Sequence, residues 1–178
     1  WQSLDFARRA SAEAQVASLA DDIAYLAHDV DDGLRAGLLT LDMLAPVPFA
    51  GPIAAKVAAL AVERSDGRAI YEVTRRMITA MIGDLIARSR ELLVRLAPAS
   101  PDDIRAADAA AIGFSPGCAD ELAALKAFLF ANVYRHPRVM DVMQNAEAVL
   151  SDLFEYYLAD GSALPEAWQR AAQGLSER

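Results

Sequence analysis

Apolar positions recur every three or four residues through most of the chain, the period of helices that turn one face to a core. No run alternates β-branched or aromatic residues with polar ones, as a half-buried strand would. The chain therefore reads as all-α, a multi-helix globular bundle. Ser11 caps a first helix that runs to about residue 31 and is stopped by Asp31-Asp32-Gly33. A short helix follows near 40–45. Pro46-Val47-Pro48-Phe49-Ala50-Gly51-Pro52 reads as a loop because of its prolines, and a helix restarts after it to about residue 64. Ser65-Asp66-Gly67 marks a break. The longest segment, 68–96, carries Ile70, Val73, Met77, Met81, Leu85 and Leu92 three, four or seven apart, and should be the central packing helix. Ser100 with Pro101 next and Asp103 three on signals a capped short helix. Gly113-Phe114-Ser115-Pro116-Gly117 is a loop, and helices follow over about 119–135, 138–159 and 165–172.

Composition narrows the class. The chain has 178 residues, enough for a core without a disulfide or structural metal, and 54% of them are hydrophobic, with alanine abundant. The reading is one all-α domain over 1–178. With 17 basic against 25 acidic residues the formal charge is -8, which argues against a nucleic-acid surface. The longest apolar stretch, 52–62, contains Lys56 and falls far short of the roughly 20 residues of a membrane span. A single cysteine, Cys118, suits a reducing compartment, so cytoplasm is expected and a membrane partner is not. The chain opens on Trp1-Gln2-Ser3-Leu4 with no Met or leader pattern, the look of a piece of a longer protein.

The candidate chemistry lies on the first helix. Five aspartates fall between Asp21 and Asp32, with Tyr25 and His28 among them. At about 100° per residue, Asp21, Tyr25, His28, Asp29 and Asp32 share an arc of roughly 100°, and Val16, Leu19, Ile23, Leu26 and Val30 lie opposite. Crowded carboxylates repel by a few tenths of a kcal/mol per i,i+4 pair, a cost that a cation or hydrogen-bond network removes. The solvated face of a helix in an acidic protein accounts for the same stripe. Tyr25 changes that balance, because a ring among carboxylates needs something to pack on or to cover.

The string from Ala10 to Gly37, ASAEAQVASLADDIAYLAHDVDDGLRAG, resembles the segment that closes the metal site of bacterial deoxyguanosine-triphosphate triphosphohydrolase-like proteins, a branch of the HD-domain phosphohydrolases. The similarity continues through Leu125-Lys126-Ala127-Phe128-Leu129-Phe130, Tyr134-Arg135-His136-Pro137-Arg138-Val139, Asp152-Leu153-Phe154 and Leu164-Pro165-Glu166-Ala167-Trp168, so it covers nearly the whole chain. In that family a histidine, a His-Asp dyad and a final aspartate hold the metal. The resemblance places the final aspartate at Asp21 and the other three upstream, leaving no complete catalytic set here. It implies that Tyr25 packs on the deoxyribose and that Asp29 accepts a hydrogen bond from the 3′-hydroxyl. Residues at i, i+4 and i+8 line a groove about 12 Å long, which suits those roles. His28-Asp29 looks like the dyad itself, yet no histidine precedes it. Asp29-Val30-Asp31-Asp32 also matches a short acid motif of some terpene cyclases, on four residues only.

The reaction implied is hydrolysis of a deoxynucleoside triphosphate to deoxynucleoside and tripolyphosphate. A divalent metal such as Mg or Mn would activate water in the full-length protein. Cations for the phosphates are sought among Arg68, Arg75, Arg76, Lys126, Arg135 and Arg138. The cluster Tyr134, Arg135, His136 and Arg138 is the leading candidate, although a helix junction explains it too. The resemblance further implies a homo-oligomer. The alternative from another class is a helical assembly or nucleotide-effector module without chemistry of its own.

Overall fold

The computed structural model describes residues 8–60 and 67–176, all helix, turn and loop, with no strand among them. Eight α-helices follow in order: α1 (Ala12–Arg35), α2 (Leu41–Leu44), α3 (Ala50–Ala58), α4 (Gly67–Leu96), α5 (Pro101–Ala106), α6 (Pro116–Leu129), α7 (Pro137–Ala159) and α8 (Glu166–Ser176). One turn of π-helix, Phe130–Tyr134, continues α6, and a 3₁₀ turn, Gly161–Ala163, precedes α8. No described helix is long and apolar enough to cross a membrane. The chain divides into two compact units, Trp1–Tyr134 and Arg135–Arg178.

In the first unit α1 packs along α4, which also receives α3, while α6 packs on α1. Ile23, Leu26, Ala27 and Val30 of α1, Val73, Met77, Met81 and Leu85 of α4, and Leu122, Leu125 and Leu129 of α6 form one buried cluster. The expected apolar stripes are thus the core stripes, except that Val16 is 45% exposed, Leu19 is only partly buried and Leu92, at the far end of α4, is half-buried outside the core cluster. Asp31 pins the two long helices together: its carboxylate accepts from Thr74 Oγ1 of α4 at 3.1 Å and from Arg35 one turn on.

Caps account for most of the helix starts. Ser11, Thr40, Ser100 and Ser115 each accept a backbone N–H three residues on, and Ser100 with Asp103 closes the reciprocal capping box. Several boundaries differ from the pattern-based expectation. Gly33 does not end α1; it is buried, and the helix runs to Arg35 before a left-handed Gly37 (φ 66°). There Gly37 N–H donates to Leu34 O and Leu38 N–H to Gly33 O, the two bonds of a Schellman close. Gly33 is glycine for space: a Cβ there would lie 2.7 Å from Leu39 Cδ1. Second, α3 begins at Ala50, inside the proline-rich stretch, because Pro52 falls in the first turn, where its missing N–H has no helical partner to lose. Third, α6 begins at Pro116 for the same reason, with Ser115 as its cap. Last, α3 ends at Ala58 rather than near residue 64: Ala59 caps it, and Leu60 N–H turns back to Val57 O at 3.0 Å instead of continuing the helical ladder. The break expected at Ser65-Asp66 lies outside the described residues.

The second unit consists of α7, the 3₁₀ turn and α8. His136 caps α7, its Nδ1 accepting from Arg138 N at 3.2 Å. Gln169 of α8 donates to the carbonyls of Ser162 and Leu164 at 2.7 and 2.6 Å, fixing the turn between the helices. No residue of α7 is buried, and Val142, Leu150, Phe154 and Leu158 are each more than two-thirds exposed or close to it.

Candidate functional site

A groove of about 350 Å³ runs between α1 and α6 with its π turn. Asp22, Tyr25, Leu26 and Asp29 line it from α1, and Lys126, Leu129, Phe130 and Tyr134 from the facing segment. Its floor is core, since Leu26 and Leu129 are 4% and 1% exposed. Its walls are polar or aromatic, with Tyr25 64% exposed and therefore open to a ligand. Two cross-links tie the walls. Lys126 Nζ lies 3.1 Å from Asp22 Oδ1, and the Tyr134 hydroxyl donates to Asp29 Oδ2. The hydrogen bond to Asp29, together with burial, pushes the Tyr134 phenol up to about 12, so it keeps its proton and remains a donor at neutral pH.

Four of the residues singled out from the sequence, Tyr25, Asp29, Lys126 and Tyr134, thus share one groove although α1 and α6 are some hundred residues apart. Asp21 is exposed and does not line it; its neighbour Asp22 does. Asp22 and Phe130 were not singled out, and only the facing helix reveals them. His28 and Asp32 are exposed on α1. The Asp29-Val30-Asp31-Asp32 motif is divided, Asp29 going to Tyr134 and Asp31 to Arg35 and Thr74. Arg75 and Arg76 both bind Glu72 of their own helix, at 2.8 and 2.6 Å, while Arg68 lies exposed in the first turn of α4. Arg135, His136 and Arg138 belong to the second unit, where the histidine serves as a helix cap.

Among the described residues, no three His, Cys, Asp or Glu side chains gather as a metal site. Burial, and then Asp84 beside it, push the Cys118 thiol up to about 12, so it keeps its proton at neutral pH.

Residues 112–178 match the phosphohydrolase-associated domain family. More specifically, nearly the full chain is homologous to deoxyguanosinetriphosphate triphosphohydrolase-like proteins. It is 45% identical over 177 residues to deoxyguanosinetriphosphate triphosphohydrolase-like protein 1 of Mesorhizobium japonicum, covering 99% of this chain and 44% of that one. The corresponding protein of Allorhizobium ampelinum is 43% identical over 175 residues, covering 98% of this chain and 43% of the relative. That of Bradyrhizobium diazoefficiens is 44% identical over 168 residues, or 94% and 42%. The chain thus spans less than half the length of the relatives it matches.

Proposed function

We propose that this chain is the C-terminal domain of a cytoplasmic, metal-dependent deoxynucleoside triphosphate triphosphohydrolase, which converts substrate and water to deoxynucleoside and tripolyphosphate. The observation that carries the reading is the convergence of Tyr25, Asp29, Lys126 and Tyr134 on one groove. Its exposed ring offers a face for a sugar, its carboxylate an acceptor for a hydroxyl, and its ammonium a counter-charge for phosphate. In this reading Tyr25 covers the deoxyribose and Asp29 accepts from the 3′-hydroxyl. An ionised carboxylate has about four acceptor positions, so the Tyr134 bond does not exhaust Asp29. Asp21 is this chain's contribution to the divalent metal site, whose other ligands come from elsewhere in the complete enzyme. The second unit's Arg135, His136 and Arg138 remain candidate nucleotide contacts.

The test is Asp29→Ala in the complete enzyme. A charged acceptor on a buried hydroxyl contributes roughly 1.5–3 kcal/mol, so kcat/KM falls about 10- to 100-fold and the preference for a 3′-hydroxyl over a 3′-deoxy substrate disappears. An unchanged preference refutes the sugar-reading role.

A second reading, a helical assembly module, draws support from α7, which presents Val142, Leu150, Leu153 and Phe154 to solvent on one broad face. Self-association that survives removal of metal and nucleotide, and is lost on Leu150→Lys, favours it as a property of this domain. A homo-oligomeric enzyme would combine both readings.

A further inference from the structure

We propose that Tyr134 is a positioning residue for Asp29, set over the groove by the π turn that ends α6; the inference rests on the reading of Asp29 as the acceptor for a sugar hydroxyl. The two cross-links of the groove, Asp22 with Lys126 and Asp29 with Tyr134, are seven residues apart on α1 but eight apart on the facing segment. On α1 seven residues complete about two turns, falling only some 20° short. Eight residues of unbroken α-helix overshoot two turns by about 80°, enough to swing Tyr134 off the line of Lys126. A π turn takes nearly one residue more than the 3.6 of an α turn, so one of each spans about eight residues. The turn at Phe130–Tyr134 therefore restores the register and keeps Lys126, Phe130 and Tyr134 in a row facing α1.

The local contacts agree with that role. Phe130, midway in the row, meets the Tyr134 ring edge to face at 6.4 Å and limits its swing. The phenol takes Asp29 Oδ2, which fixes the carboxylate and leaves Oδ1 for a ligand hydroxyl. At the opposite end Lys126 and Asp22 are each about half exposed, so that link is easily exchanged. The two ends thus differ in kind: a held acceptor for a hydroxyl and a releasable cation for an anion. An acceptor fixed before binding spares the ligand the cost of ordering it.

Two measurements test this. In the 178-residue chain, the Tyr134 ring signal is followed by carbon NMR against pH; its midpoint near 12 should fall toward the ordinary tyrosine value in Asp29→Asn. No movement would overturn the proposed bond and with it the proposal. In the complete enzyme, the ratio of kcat/KM for 3′-hydroxyl and 3′-deoxy substrates is compared among parent, Tyr134→Phe, Asp29→Ala and the double variant. Tyr134→Phe should reduce the preference about 3- to 10-fold, and the double variant should match Asp29→Ala alone. If Asp29→Ala abolishes the preference while Tyr134→Phe keeps it, Tyr134 does not position Asp29 and the sugar reading stands. Additive losses in the double variant also overturn the proposal, because Tyr134 would then contact substrate itself. If Asp29→Ala keeps the preference, the reading of the groove fails first and the proposal falls with it.

Discussion

Gly51→Ala should destabilise the first unit although alanine is the better helix residue. Gly51 sits buried in the first turn of α3, its N–H donating to Val47 O at 2.7 Å. A Cβ on it would lie 2.3 Å from the Ala45 carbonyl oxygen, 3.1 Å from the Ala45 carbon and 3.2 Å from Leu44 O. All three atoms are backbone, and Leu44 and Ala50 on either side are fully buried, so no side-chain rotation relieves the clash. Replacing glycine in a helix gains about 0.5–1 kcal/mol. Forcing one carbon into packed backbone costs about 1–3 kcal/mol or more, and the 2.3 Å approach belongs at the upper end. The net expectation is a loss of about 2 kcal/mol, a Tm lower by about 4–8 °C. Gly83→Ala is the matched control. It lies exposed within α4 with nothing within 4 Å of the added carbon, so the same substitution should raise stability by about 0.5–1 kcal/mol. Urea unfolding followed by circular dichroism at 222 nm measures both, with equal m-values as the check on comparability. Gly51→Ala within about 0.5 kcal/mol of the parent would mean that the Ala45 carbonyl does not close on α3 as described, and would refute the argument.

In the complete enzyme, Asp21→Ala should abolish metal-dependent turnover while Asp22→Ala retains most of it, since Asp22 only pairs with Lys126 across the groove; equal losses in a steady-state assay would reassign the metal ligand. The 178-residue chain alone should not hydrolyse deoxynucleoside triphosphates, and chelator-sensitive turnover by purified chain would contradict this. Hydrogen bonds from Arg75 and Arg76 hold the Glu72 carboxyl near 2, down from 4.5. A depressed carboxylate stabilises the fold above its unfolded value, and that contribution is lost as pH falls from about 4.5 through 2. Acid unfolding of Glu72→Gln should therefore be less steep in that window than the parent's, with identical curves counting against the pairing.

Sequence alone determined the all-α class, the caps at Ser11 and Ser100, and the core face of α4 through Met77, Met81 and Leu85. These are local properties, a side-chain oxygen three residues from an N–H or an apolar stripe at helical period, and they are readable without knowing the partner. The stripe bearing Tyr25 and Asp29 was legible as a face, and its resemblance to a hydrolase segment gave it a proposed role. Which residues meet that face was decided only by tertiary structure. The Lys126–Asp22 and Tyr134–Asp29 links join residues 104 and 105 positions apart, and their register depends on a π turn that apolar spacing does not encode. The same holds for Gly33 and Gly51. The sequence reads both as breakers or loop residues, whereas each is a point where Leu39 or the Ala45 carbonyl comes too close for a side chain. Periodicity assigns a residue to a side of its own helix; only the packed register of two helices fixes which atoms face each other across the groove.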